Sequence, residues 1–371
     1  MTSTRERHMK RRDFLVGSVA AAGATAAATT LAAPAIAQGK QEWKMVMPWP
    51  KNAPGVGVNA QRFAAMVTEM TDGRLTIKAF GGGELVPPLG CLDAVQSGVA
   101  ECSHGTPYYW AGKAKALNYF TTVPFGLLST ELQGWIYFGD GQALWEETYA
   151  PFNVQPFYTG SSGVQSGGWF RKEINSLDDL KGLKMRIAGL GGEVMRRLGT
   201  AVVMTPPGEI TTAMLSGTVD AAEWVGPWND IAFGLHKAAK FYYVPAFHEP
   251  GPGLEVIINK DRWNALPKDI QAIIRHAAQA ATAYATSDFM HHNIQAFGQL
   301  DDLGVEKRLF PEDVIKAMGQ ATIEVLEEAA AGDPLTRKVH DSYMDYVRKS
   351  TRYESWFGRR MLEMREMVWG A

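Results

Sequence analysis

Cysteine is scarce in this chain: 371 residues hold only Cys91 and Cys102. Neither sits in a C-x-x-C, haem-attachment or zinc spacing, which removes the common thiol-ligated cofactors. The pattern between them reads as a helix of about seven residues, with Cys91 in its first turn and Cys102 opening the next strand. Such a helix separates its ends by roughly 10 Å or more, beyond disulfide reach, so two buried free thiols are expected. An excess of one charge is missing too. The formal net charge is −2, and nothing in that balance suggests a nucleic-acid or anionic-membrane partner. Past residue 37 no stretch is long and apolar enough to cross a bilayer, and no internal repeat or low-complexity tract occurs. Gly81-Gly82-Gly83 has neither the Gly-Lys-Ser/Thr of a P-loop nor the dinucleotide spacing. No Ser–His or Cys–His pair carries a hydrolase signature. His291 and His292 are adjacent on a helix, so they point about 100° apart and do not converge on a metal.

What is present begins with a leader. Lys10-Arg11-Arg12-Asp13-Phe14-Leu15 reads as a twin-arginine export signal. An uncharged, Ala-rich stretch follows, and Ala35-Ile36-Ala37 supplies an A-x-A cleavage site. Residues 1–37 are therefore expected to be removed on export to the periplasm, with the mature chain starting near Gln38. The leader holds five basic and two acidic residues, so taking its +3 from −2 leaves the remainder at −5. That remainder exceeds one typical domain, which makes two lobes the default.

Periodicity fills in the elements. Strands are expected at 42–49, 74–80 and 99–104, with helices at 58–70 and 89–97 between them. A second α/β stretch runs from near Gln155. It has strands at 166–170, 183–187, 201–204 and 219–225, helices at 191–198 and 209–216, and a further strand at 254–259. Alternation of this kind implies a mostly parallel sheet in each lobe. Residues 267–302 contain no internal proline. A continuous helix there would run about 54 Å, so it must cross both lobes or lie against a second subunit. Residues 311–331 and 333–368 read as further amphipathic helices.

Three groups of motifs now combine: Gly82-Gly83-Glu84-Leu85-Val86-Pro87, Gln165-Ser166-Gly167-Gly168-Trp169-Phe170-Arg171, and Leu180-Lys181-Gly182-Leu183-Lys184-Met185-Arg186 with Ala222-Glu223-Trp224-Val225-Gly226-Pro227. With them the chain resembles the solute-binding proteins of tripartite ATP-independent periplasmic (TRAP) transporters, and within these the subgroup for 2-oxo acids such as pyruvate. The resemblance covers essentially the whole mature chain. It implies an α/β, two-lobed periplasmic binding protein with hinge segments and a long helix spanning both lobes. Lobe I would be 38–162 and lobe II 163–249, each with part of the C-terminal region; the long helix would be 267–302 and the C-terminal helices 303–371. It also implies a membrane permease partner, a Na⁺ or Ca²⁺ ion that bridges the ligand carboxylate to the protein, and a homodimer made by a swapped C-terminal helix.

The residues that could carry binding are few. Arg186 ends a strand, and its planar, permanent fork matches a carboxylate. Glu223 sits in an apolar run, where a carboxylate is costly unless paired or bound to metal. Gln165 offers an amide oxygen for a cation and an N–H₂ for a ligand. The resemblance makes Arg186 the carboxylate clamp. It makes Gln165, Glu223, the Trp224 carbonyl and Glu249 the cation ligands, with Gln165 also touching the solute. Tyr109 or Tyr108 would supply a phenol to the ligand, Tyr109 being favoured. One Arg and a cation suit a 2-oxo or 2-hydroxy monocarboxylate. The competing expectation is a periplasmic metal-dependent enzyme acting on 2-oxo acids. Against it, the candidate site holds no histidine base and an arginine that can only donate.

Overall fold

Strands alternate with helices through residues 39–370, the part of the chain described by the computed structural model. The leader and its cleavage site lie outside the described residues. The strands are β1 Gln41–Val46, β2 Leu75–Phe80, β3 Cys102–Gly105, β4 Val154–Ser161, β5 Gly168–Phe170, β6 Lys184–Arg186, β7 Ala201–Val203, β8 Ala221–Ala222, β9 Phe241–Tyr243, β10 Gly253–Asn259 and β11 Glu306–Arg308. They make two sheets, in the orders β2-β1-β3-β10-β4 and β11-β9-β5-β8-β6-β7, and one lobe forms around each.

Both sheets are mixed rather than mostly parallel. In the first, β1 and β3 are parallel, but β10 runs antiparallel to both of its neighbours. In the second, β6 is parallel to β7 and β8, while β5 opposes β8 and β9. The reason lies in the crossings. β4 and β9 end at the junction between lobes, and β5 and β10 begin there, so each entering strand must run against the one that leaves.

The two crossing segments, 162–167 and 244–252, are tied to each other. Gln165 N–H donates to the Glu249 carbonyl at 3.1 Å, and Ala246 N–H donates to the Gln165 carbonyl at 2.9 Å. This short ladder carries the side chains of Gln165 and Glu249 into one place.

The expected long helix is present as Lys268–Asp302, 35 residues and about 52 Å at 1.5 Å per residue. Along its first half small residues, Ala277, Ala278, Ala281 and Ala285, are buried and let it lie close to β4. Gly160 of β4 has φ 128°, and a Cβ there would sit 2.7 Å from that of Ala285, so only glycine fits. Thr282 Oγ1 donates to the Tyr158 carbonyl at 3.1 Å. Further along, Asn293 Oδ1 accepts from Trp228 N–H at 3.1 Å, and the Trp228 indole stacks on His292 with ring centroids 4.2 Å apart. The helix thus touches β4 of the first sheet and the helix Pro227–Ala232, which follows β8 of the second.

Cys91 starts the helix Cys91–Gln96 and Cys102 starts β3. Both are buried and free, as the spacing implied. Burial pushes the Cys91 thiol up to about 12, which leaves it inert. The amphipathic run expected at 333–368 is two helices, Pro334–Glu354 and Gly358–Trp369, broken at Ser355-Trp356-Phe357.

Candidate functional site

β6 delivers Arg186 to the junction at its C-terminal end. The side chain is fully buried. Nη1 donates to the Glu223 carbonyl at 2.8 Å and also to Glu223 Oε1, and Nε donates to the Thr205 carbonyl at 3.3 Å. Nη2 has no partner among the described residues. One edge of the guanidinium is therefore fixed, and one N–H₂ is left for something else.

Glu223 follows β8, which is only two residues long because the chain turns out of the sheet there instead of continuing to Val225. Asp230 holds that turn. Its carboxylate accepts from Val225 N–H at 3.0 Å and Trp169 Nε1 at 3.0 Å, and from Ser166 and Tyr242 hydroxyls at 3.2 Å each. Glu223 Oε1 accepts from Arg186 and from Ala188 N–H, while Oε2 has no partner. Burial works to raise the Glu223 pKa, but Arg186, His248 and the Ala188 N–H outweigh it and hold the carboxyl below the usual range. Trp224 packs beside them, with the guanidinium 5.9 Å from its ring centroid.

Glu249 comes from the second crossing. Both its oxygens are buried and without a hydrogen-bond partner. Burial and the neighbouring Glu223 push its carboxyl well above the usual range. Gln165 Nε2 donates to Ser162 Oγ at 2.8 Å, which turns its oxygen outward, again unpartnered. Tyr108 and Tyr109 follow β3 and stack at 4.9 Å. The Tyr109 hydroxyl faces Arg186 and the Tyr108 hydroxyl faces Glu249, so both phenols belong to the site. A small cavity of about 20 Å³ lies among Tyr108, Tyr109, Gln165, Trp224 and Glu249, with Thr106 and Trp49 behind them.

Every residue picked out from the sequence meets here: Gln165, Arg186, Tyr109, Glu223, Trp224 and Glu249. One expectation is corrected, since the site does contain a histidine. His248 is buried, and its Nε2 lies 3.7 Å from Glu223 Oε2. Asp230 was not among the residues picked out from the sequence; it lies buried in the first turn of the helix Pro227–Ala232. The signal available for His248 was its place next to Glu249; its approach to Glu223 depends on the fold.

Oxygens without partners are what a hard cation requires. Gln165 Oε1, Glu223 Oε2 and both Glu249 oxygens supply them, so the residues fit Na⁺ or Ca²⁺. A bound cation would neutralise the carboxylates and attract an anion towards the free Nη2 of Arg186.

Behind the tyrosines, Trp110 is fixed by its Nε1, which donates to Glu255 Oε1 at 3.0 Å. The Tyr149 hydroxyl donates to the same carboxylate at 2.8 Å. Burial raises the Glu255 pKa to about 8. A carboxyl raised in the fold is harder to ionise there than in the unfolded chain. Its contribution to stability therefore falls as pH climbs from the ordinary 4.5 to about 8, and is level outside that window. Glu255→Gln removes the titration. The stability difference between variant and wild type should grow across that window, by on the order of 5 kcal/mol at most. Urea midpoints measured against pH check this, and a difference that is flat with pH would count against it.

The model for bacterial extracellular solute-binding proteins of family 7 matches residues 45–333. The chain belongs to that family. Among the relatives of this solute-binding protein is a monocarboxylate 2-oxoacid-binding periplasmic protein of a Nostoc species, 43% identical over 90% of this chain and 93% of the relative. A TRAP periplasmic solute-binding protein of Pseudoalteromonas atlantica, solved with bound sodium and pyruvate, is 39% identical. The match covers 87% of this chain and 99% of that one, with a TM-score of 0.85. Another from Colwellia psychrerythraea, solved with calcium and pyruvate, is 41% identical, with the same coverage and TM-score. The enzyme alternative falls with this membership, because the family and these relatives are solute-binding proteins.

Proposed function

We propose that this protein is the capture subunit of a TRAP transporter, taking a small 2-oxo or 2-hydroxy monocarboxylate together with one Na⁺ or Ca²⁺ and delivering it to the membrane permease. The observation that carries the reading is the pairing of one unused guanidinium N–H₂ with unused oxygens of Gln165, Glu223 and Glu249 in a single buried junction. Such an arrangement is costly by itself, and a cation plus a carboxylate completes it. In this reading Arg186 and Tyr109 hold the solute carboxylate. Gln165 touches both solute and cation, and Glu223, Trp224 (by its carbonyl) and Glu249 complete the cation shell. The relatives that bind pyruvate with sodium or calcium support it.

Thermal unfolding against small carboxylates, with Ca²⁺, with Na⁺, and with chelator in Na⁺-free buffer, tests the reading. A solute at 100 times its dissociation constant adds about 2.7 kcal/mol. The expected result is a shift with 2-oxo acids that vanishes without the cation. A shift only with sugars or amines would overturn it.

The solute favours the closed arrangement only through contacts made there. Gly189, at the start of the helix Gly189–Arg197, sits directly against Tyr108 from the other lobe. Its φ is +60°, and a Cβ would lie 2.5 Å from the Tyr108 ring. Gly189→Ala should therefore hold the lobes apart and weaken pyruvate binding by more than tenfold in calorimetry. Unchanged affinity would mean that this contact does not govern closure.

Export by the twin-arginine route follows from Arg11-Arg12 and the cleavage motif. The homodimer is supported by the helix Gly358–Trp369, none of whose residues is buried. It exposes Met361, Leu362, Met367, Val368 and Trp369 by more than half, an apolar face of the kind that marks a contact with another chain. Removing residues 356–371 should convert a dimer to a monomer in light scattering; a full-length monomer would refute the assembly.

A further inference from the structure

The helix Pro227–Ala232 starts just beyond Glu223 and Trp224, and the binding scheme gives it no part. Two of its residues anchor it within reach of both lobes. Trp228 N–H donates to Asn293 of the long helix, and Asp230 accepts from Trp169 and Tyr242 of the second sheet. Asn229, between them, reaches the other lobe. Its Nδ2 donates to the Pro54 carbonyl at 2.6 Å. The side chain is fully buried, and its Oδ1 has no partner among the described residues. A buried amide with one unpaired end is costly, whereas an apolar side chain of the same shape is nearly free of that cost. The bond to Pro54 is what this asparagine offers in return.

The receiving loop is fixed in place. The Pro54 carbonyl also accepts from Val56 N–H at 2.8 Å. Gly55 has φ 66° and lies so close to Phe289 of the long helix that a Cβ would sit 2.4 Å from its ring. Val56 itself lines the small cavity beside Tyr109 and Trp224. The Asn229–Pro54 bond therefore joins the two lobes directly. It ties the segment that carries Glu223 and Trp224 to the loop that walls the cavity, and neither crossing segment makes it.

We propose that Asn229 is a positioning residue for capture: its bond to Pro54 forms as the lobes close, and it sets how long the solute is held rather than which solute is chosen. This rests on the capture reading above. A neutral hydrogen bond made only in the closed form slows release by about fivefold.

Stopped-flow tryptophan fluorescence with pyruvate, at saturating Ca²⁺ and Na⁺, gives kon and koff. Asn229→Leu keeps the shape of the side chain and removes the donor and the unpaired oxygen together. The variant should release pyruvate at least threefold faster, with kon within twofold of wild type and the ratio of pyruvate to lactate affinity unchanged. NMR of wild type labelled with ¹⁵N at asparagine gives a measurement that does not depend on the variant folding. The assigned Asn229 carboxamide should exchange with solvent more slowly once cation and pyruvate are added. A smaller rise in koff, a kon that falls with the affinity, a changed pyruvate-to-lactate ratio, or a carboxamide equally protected with and without pyruvate would each overturn the proposal and leave the capture reading intact. Absence of cation-dependent pyruvate binding in wild type overturns the capture reading and the proposal with it.

Discussion

Arg186→Ala should lose pyruvate binding by at least about a hundredfold, and should also destabilise the fold. Two losses add in the binding term. The free Nη2 is the one unpaired cationic donor at the site, and a hydrogen bond to a charged group is worth about 1.5–3 kcal/mol; two such bonds to a carboxylate amount to a factor of a hundred or more. The stability loss has a separate origin. Arg186 is the cation that pairs with Glu223, through the carbonyl and Oε1 together. Removing one partner of a buried ion pair costs about 3–5 kcal/mol, because the other charge stays buried without compensation. Arg186→Lys separates the two. Its ammonium keeps the charge but cannot reach the Glu223 and Thr205 carbonyls and a ligand in one plane. The lysine variant should recover most of the urea midpoint and still bind pyruvate at least tenfold more weakly. Calorimetry and urea unfolding on both variants decide it. An alanine variant within threefold of wild-type affinity would remove Arg186 from the solute site.

The parts of this site that were legible from the sequence were those where a charge interrupts an apolar pattern. Arg186 closes a strand and Glu223 stands among Ala222, Trp224 and Val225, so each raised the question of what it pairs with, and the fold answers by pairing them partly with each other. The long helix was legible because, after Pro267 at its start, no proline follows up to 302 to stop it. Other features were hidden for physical reasons. β4 is buried along its whole length, yet its sequence, Val-Gln-Pro-Phe-Tyr-Thr-Gly-Ser, has no alternation; it is covered on both faces, and its glycine serves a neighbouring helix. The strand expected at 219–225 shrinks to Ala221–Ala222, because Asp230 captures Val225 N–H and turns the chain at the residue that matters. His248 carried no signal beyond its place next to Glu249. Its meaning comes from Glu223, 25 residues earlier in number and brought near only by the crossing of 244–252 over the end of β8.

In Glu249→Gln, two effects of opposite sign are expected, and their separation is informative. Without cation, in chelator and Na⁺-free buffer at neutral pH, the variant should be the more stable protein. Glu249 is buried with no partner for either oxygen, and burial together with Glu223 holds its carboxyl well above the ordinary 4.5. A carboxyl raised in the fold costs stability as pH rises above its unfolded value, and an amide has no such cost. With saturating Ca²⁺ and pyruvate the order should reverse. Wild type gains about 2.7 kcal/mol at 100 times the dissociation constant, while the variant, offering a neutral oxygen where a carboxylate stood, gains little. Melting temperatures of the two proteins in the two buffers give the four numbers needed. If the variant is less stable in both buffers, Glu249 is a structural residue. If both proteins gain equally, the cation is held elsewhere. A crossing of the two proteins on adding Ca²⁺ and pyruvate requires that the strain at Glu249 in the empty fold and the affinity of the loaded one reside in the same carboxylate.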